Sequence, residues 1–195
     1  NENKIEKFSF KNKNDINKAI ENIKSKDYEI TDITSKIYNR NPSGPFTTST
    51  LQQSSSAKLG FGASRTMQLA QRLYQGIDIE GDSVGLITYM RTDGTNISNE
   101  AVSLFRSYIE NNFGNEYLPN QPLNYSGKKA KNAQEAHEAI RPTDVNRSPD
   151  ELKKYLSSDQ LKLYNLIWSR ALSSQMESAK FDRKTILIAS KDGSN

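Results

Sequence analysis

Strand-like patterns near both ends of the chain enclose a long middle patterned as helices. That order constrains the fold most, because ends that pair with each other force the middle to leave and return as one excursion. Ile5 to Phe10 alternates apolar and polar residues in the strand manner, and Asp15 to Lys24 places Ile16, Ala19, Ile20 and Ile23 on one helical face. Tyr28, Ile30, Ile33 and Ile37 then recur through a Thr-rich stretch of β-branched character, closed by the breaker Asn-Pro-Ser-Gly-Pro at Asn41 to Pro45. Lys184 to Ser190, with Thr185, Ile186, Leu187 and Ile188, returns the strand signal. The expected architecture is α+β and mainly α. Residues 1–45 and 181–195 form one small β-rich domain, and the helical stretch 46–180 is inserted into it.

Within the middle, Thr48 to Leu59 reads as a helix, Gly60-Phe61-Gly62 as a turn, and Arg65 to Gln75 as a second helix capped by Ser64 and ended by Gly76. Two helices joined by a short glycine turn resemble a helix-turn-helix; an ordinary helical hairpin has the same pattern. Ser98 caps a helix with Val102, Phe105 and Ile109 on one face, stopped at Asn111 to Gly114. Asn115 to Lys131 is a polar loop whose Lys128, Lys129 and Lys131 read as solvated surface. Ala133 to Ile140 is expected to be a short helix ended by Pro142. Capping boxes at Ser148/Glu151 and Ser157/Gln160 open two more helices. The stripe Leu161, Tyr164, Trp168 and Leu172 reads as core rather than as a platform for stacked bases.

Composition mostly excludes. The 195 residues include no Cys and one His, which rules out disulfide scaffolds, Cys-ligated zinc and thiol catalysis and leaves no His-rich metal site. A net charge of +4 favours a polyanionic partner without demanding one. No apolar run approaches a membrane span, and NENKIEKF at the start lacks the order of a signal peptide, so a cytosolic protein is expected. Both ends, Asn1 and the closing DGSN, read as cuts through a longer polypeptide.

Chemistry concentrates in three places. In Val84 to Asp93 an apolar strand runs into Thr-Tyr-Met-Arg-Thr-Asp; extended backbone puts Tyr89 and Arg91 on one face with Asp93 behind them. A phenol beside a guanidinium suits attack on a phosphodiester, the arginine holding phosphate oxygens and stabilising the charge that develops. A free tyrosine, with a pKa of about 10, is ionised only about once in a thousand molecules at neutral pH, so such a site needs help from a cation, a base or a metal. A packed Tyr beside a surface Arg-Asp pair is the alternative. Second, His137 and Arg141 stand at i and i+4, where a helix would let them share one phosphate; a lone His is also often structural. Third, the hydroxyls and N–H groups of Pro45 to Gln53 at a helix start can accept phosphate or merely cap.

Taken together, PFTTSTLQQ (Pro45 to Gln53), KLGFGASRTMQLAQRLYQG (Lys58 to Gly76), VGLITYMRTD (Val84 to Asp93) and AHEAIRPTDV (Ala136 to Val145) strongly resemble the bacterial type IA DNA topoisomerases. QLKLYNLIWSRALSSQM (Gln160 to Met176) is similar as well. The first forty residues match by position only. The resemblance implies a winged-helix-like domain carrying the nucleophilic tyrosine, inserted in a small β-rich hinge domain of the enzyme's arch. It assigns Tyr89 as the nucleophile that forms a 5′-phosphotyrosine, Arg91 as the residue that positions the scissile phosphate, and His137 as an assisting residue near the active site. Thr50, Gln53, Arg65, Asp93 and Arg141 are candidate DNA contacts. Gly94 departs from the Ser that many members carry there; a local loop effect is expected.

The resemblance also implies what lies elsewhere. Mg²⁺ would be held by a Toprim domain outside this chain, whose Asp-x-Asp cluster has no counterpart here, and no ATP is used. The partners it implies are single-stranded and negatively supercoiled DNA, the Toprim domain and the remaining arch of the same parent chain. The fragment is expected to be a monomer with no membrane association, cytoplasmic and nucleoid-associated in its parent, and unable to relax DNA by itself. Two rivals stand beside this reading. A tyrosine recombinase or type IB topoisomerase would place its basic residues and His before the nucleophile, whereas His137 and Arg141 follow Tyr89. A non-catalytic helix-turn-helix DNA-binding module would make no use of the Tyr89 phenol.

Overall fold

The computed structural model describes residues 5–6, 9–125 and 138–193. The chain divides into two compact units, Asn1–Asn39 with Lys180–Asn195, and Arg40–Ala179.

The smaller unit contains helix α1 (Lys13–Lys24) and two long strands, β1 (Tyr28–Arg40) and β4 (Ala179–Ser190), paired as a two-stranded sheet. Thr31 donates to the Leu187 carbonyl while Tyr38 stacks on Phe181, so the strands run antiparallel. Asn12 caps α1 by accepting from the Asp15 N–H. The strand expected over Ile5 to Phe10 is not formed at its described residues: Ile5, Glu6, Ser9 and Phe10 lie outside any strand and the Ser9 N–H donates to the Glu6 carbonyl, while Lys7 and Phe8 lie outside the described residues. Alternation alone cannot make a strand without a neighbour to pair with. Among the described residues of this unit none is buried, and Ile30, Ile33, Ile37 and Ile188 stand in solvent.

The larger unit is mainly helical. Its α2 (Thr48–Leu59) begins at Thr47, whose capping box is closed by Thr50, and ends at Gly60 in the left-handed conformation. Helix α3 (Ala63–Gln75) starts from Gly62 with no side-chain cap. Ser64, expected as the cap, lies within the first turn. After Gly76 comes a tight hairpin of β2 (Ile77–Ile79) and β3 (Asp82–Val84), joined at Glu80-Gly81 with positive φ at both positions, the geometry that matches strand twist in a two-residue turn. Helices α2, α3 and α6 (Ser158–Ser173) pack on one another, and the hairpin follows α3 in the position of a wing. Helix α4 (Asn99–Phe113) is capped by Ser98 as expected, and the capping boxes at Ser148 and Ser157 open α5 (Pro149–Leu152) and α6.

One core gathers Phe46, Leu51, Leu69, Leu73, Leu86, Ile140, Leu163 and Tyr164 between α2, α3, α6 and the segments that cross beneath them. A second joins Phe105, Ile109, Val145 and Leu172, with Trp168 packed against both. Trp168 donates its indole N–H to the Val145 carbonyl at 2.9 Å, so the aromatic stripe of α6 is core.

Two further expectations are corrected. The strand expected over Val84 to Ile87 ends at Val84, and Ile87 instead bridges Pro142. The helix expected over Ala133 to Ile140 is not present where it can be seen: Glu138 bridges Asn96 and Ile140 bridges Phe46 in extended backbone, while 133–137, like Lys128, Lys129 and Lys131, lie outside the described residues. At 138–140, non-local pairing with Asn96 and Phe46 outweighs the helical propensity of Glu and Ala.

Candidate active site and nucleic-acid face

Three separate pieces of chain meet around residues 85–94: the start of α2, the end of α3 and the extended run 138–143. Gly85 is required where it stands, since a Cβ there would sit 2.8 Å from the Tyr74 carbonyl oxygen. Leu86 donates its N–H to the Leu73 carbonyl at 2.7 Å, and Leu86 and Ile87 are fully buried. From there alternate residues are held by the fold. The Thr88 hydroxyl donates to the Ala139 carbonyl at 2.7 Å and accepts the Arg141 N–H at 3.0 Å. Met90 is buried. Thr48, the first residue of α2, donates its hydroxyl to the Met90 carbonyl at 2.8 Å and accepts the Thr92 N–H at 2.8 Å, while its own N–H reaches the Thr92 carbonyl at 2.8 Å.

Clamping Thr88, Met90 and Thr92 inward turns Tyr89, Arg91 and Asp93 outward, and all three are exposed. Tyr89 is 45% exposed, with its ring edge-on to Tyr74 at 5.4 Å. No hydrogen bond or ion pair engages the phenol of Tyr89, the guanidinium of Arg91 or the carboxylate of Asp93 among the described residues. The surface Arg-Asp pair that would have made this segment merely structural is not formed. What stands here is a phenol and a guanidinium, both unspent, on a backbone held from two sides.

The other sequence candidates fall in different places. Thr50 is half-buried and accepts the Thr47 N–H at 2.9 Å, so its hydroxyl is committed to the cap. With the Thr48 N–H on Thr92 and the Thr50 N–H on the Thr47 hydroxyl, the start of α2 is largely satisfied from within. Gln53 is exposed on the same helix. Arg65, on α3, makes an exposed ion pair with Asp159 at 2.8 Å. Arg141 does not match its expectation of a phosphate grip shared with His137 along a helix. Its side chain is 13% exposed, and its guanidinium is bound by both carboxylate oxygens of Glu138 and donates to the Pro142 carbonyl. Glu138 also accepts the Ser98 N–H at the cap of α4. His137 lies outside the described residues. Among the described residues no three His, Cys, Asp or Glu side chains gather as a metal site.

Sequence reasoning missed Thr48, Thr88 and Glu138, the residues that hold the segment in place. The partners of Thr48 and Thr88, and the Ser98 N–H that Glu138 accepts, lie about forty to fifty positions away, so no local pattern reports them.

A family model described as DNA topoisomerase matches residues 1–195. The chain belongs to the bacterial DNA topoisomerase I family. It is 48% identical over 192 residues to the DNA topoisomerase 1 of Rickettsia felis, covering 98% of this chain and 25% of that protein. It is 46% identical over 189 residues to that of Haemophilus influenzae, covering 97% and 20%. The solved structure of full-length topoisomerase I from Thermotoga maritima matches with a TM-score of 0.80 and 38% identity, covering 97% of this chain and 29% of that one. The chain therefore spans about a quarter of the length of these topoisomerases. No described helix is long and apolar enough to cross a membrane.

Proposed function

We propose that this chain is the part of a type IA DNA topoisomerase that carries the nucleophile, with Tyr89 attacking a phosphodiester of one DNA strand. The Tyr89 oxygen bonds to phosphorus and the bond to the 3′-oxygen breaks. The phenol gives up its proton and the departing 3′-oxygen takes one up, leaving a 5′-phosphotyrosine and a 3′-hydroxyl. Reversal religates the strand, and because one ester replaces another, the cycle needs no ATP. Arg91, exposed two residues on, offers a fork of N–H donors to the phosphate oxygens. The observation that carries this reading is the alternation at 88–93, which presents an unengaged phenol and guanidinium together.

Mg²⁺ in the parent is assigned to residues outside this chain and would supply charge stabilisation at the phosphate. His137 is assigned an assisting role and Gln53, Arg65 and Asp93 contacts to DNA. Relaxation of negatively supercoiled DNA belongs to the whole enzyme, in the cytoplasm at the nucleoid, and the fragment alone is inactive in it. The small unit serves as part of the hinge. Its exposed Ile30, Ile33, Ile37 and Ile188 are more apolar surface than a two-stranded sheet keeps in water, which supports a cover from the rest of the parent arch.

The test is Tyr89→Phe in the full-length parent, with covalent capture of a single-stranded oligonucleotide as the readout. Capture is lost if Tyr89 is the nucleophile. Retained capture, or an adduct through a 3′-phosphate, refutes the assignment.

A further inference from the structure

From Ile33 to Ile77 the sequence contains no Asp or Glu, although the whole chain carries 23 of them in 195 residues. That interval includes all of α2 and α3, and its charges are Lys36, Arg40, Lys58, Arg65 and Arg72. On α3, Arg65, Gln68, Arg72 and Gln75 follow one another at helical spacings of three and four, so they form one stripe. Thr66, Ala70 and Leu73 are buried on the side away from it, and buried Leu69 borders the stripe. Tyr74, whose ring meets Tyr89, points roughly 140° around the helix from the stripe.

This stripe is the wall of a depression rather than a convex surface. Ser157 and Gln160, at the start of α6, close the other side of a trough of about 460 Å³. Arg72, Gln75 and Gln160 continue into an adjoining concavity of about 340 Å³ beside Ile77 and Asp78 of the hairpin. Neither includes Tyr89, Arg91 or any residue of their segment. Arg72 is exposed and makes no ion pair among the described residues. Arg65 pairs with Asp159 at 2.8 Å, but both side chains are solvent-accessible, so a phosphate can take the carboxylate's place at little cost. Asp159 and Asp78 are the acids that border the trough.

We propose that the α3 stripe and its trough bind the phosphodiester backbone of a second DNA segment, separate from the strand that meets Tyr89. The two arginines stand roughly 10 Å apart along the helix, so successive phosphates of one backbone can engage both, with the glutamine amides donating between them. The inference rests on the reading of this chain as part of a DNA enzyme, and it adds a contact on another face of the same unit. Because the recognition is of phosphate, it is salt-dependent.

The experiment compares the full-length parent with its Arg72→Gln and Arg72→Lys variants. Affinity for a blunt duplex and for a long single strand is measured across a salt series without divalent metal, and cleavage of a short oligonucleotide that only spans the Tyr89 face is followed separately. Arg72→Gln is expected to reduce the slope of log K against log salt by about one for the probe that occupies the trough. Arg72→Lys should keep most of the slope, and short-oligonucleotide cleavage should be unchanged in both. The probe that loses slope identifies the second segment as duplex or single strand. An unaltered slope with both probes overturns the proposal, as does a parallel loss of short-oligonucleotide cleavage, which would merge the trough with the Tyr89 site. Failure of the Tyr89 assignment would appear separately, as capture that survives Tyr89→Phe.

Discussion

Replacing Thr48 by Val removes a single hydroxyl and almost no volume, yet it cuts the segment that carries Tyr89 away from helix α2. The hydroxyl serves the Met90 carbonyl and the Thr92 N–H, each at 2.8 Å, and both residues are buried. The Thr92 carbonyl keeps the Thr48 N–H, so two backbone groups lose their partners. An orphaned buried group costs about 1–3 kcal/mol, which sets the loss from two at roughly 2–6 kcal/mol. For a unit of this size each kcal/mol lowers Tm by about 2–4 °C, so a drop of roughly 8–16 °C is expected at the middle of that range. Thr48→Ser keeps the hydroxyl and forfeits a methyl worth about 0.8 kcal/mol at most, and it should recover most of the stability. In the full-length parent, single-strand cleavage should fall at least tenfold in the Val variant and return with Ser, because displacement of a reacting group by about 1 Å costs on the order of a hundredfold. Chemical denaturation and oligonucleotide cleavage check both halves. A Val variant within about 0.5 kcal/mol of the parent would show that Thr48 is not the clamp.

Two further outcomes follow from polar contacts in the larger unit. Glu138→Gln takes the carboxylate from a nearly buried Arg141 guanidinium and should cost about 2 kcal/mol in urea denaturation; a change below about 0.5 kcal/mol would remove that pair from the scaffold of the site. Tyr164 donates to the Arg147 carbonyl at 2.7 Å from a buried position, and burial pushes its phenol well above the ordinary tyrosine range. The native phenol therefore stays protonated where the unfolded one ionises, so this contribution is full below about pH 10 and is lost above it, at up to about 1.4 kcal/mol per pH unit. Tyr164→Phe should be less stable at neutral pH by about 1 kcal/mol and decline less steeply between pH 10 and 11. Burial also raises Tyr108 and Tyr125, so the decline becomes shallower without vanishing; an unchanged slope would count against the buried phenol.

Much of the helical framework was legible because its signals are local. Ser98, Ser148 and Ser157 cap the helices they precede, and Thr48 and Leu59 bound α2. Gly76 and Gly114 end α3 and α4 as glycines at positive φ. The stripe of Tyr164, Trp168 and Leu172 marked the second face of α6. Ser64 misled, since Gly62 opened the helix two residues earlier with no side-chain cap. The end of the Ala133 to Ile140 stretch misled for a different reason: its composition favours helix, but Glu138 and Ile140 are taken into bridges with Asn96 and Phe46.

That Tyr89 and Arg91 share one face followed from the sequence alone, because side chains two apart on extended backbone point the same way. Why that backbone is extended and fixed did not. Thr48 meets Met90 and Thr92, and Thr88 meets Ala139 and Arg141, pairings between segments that nothing local announces. The same holds for Arg141, whose charge on paper suggested a phosphate contact and whose guanidinium the fold gives to Glu138. Local chemistry thus determined which residues are able to react, while tertiary contacts decided which are left free to do so, because hydrogen bonds and burial between distant segments use up some polar groups and leave others unengaged.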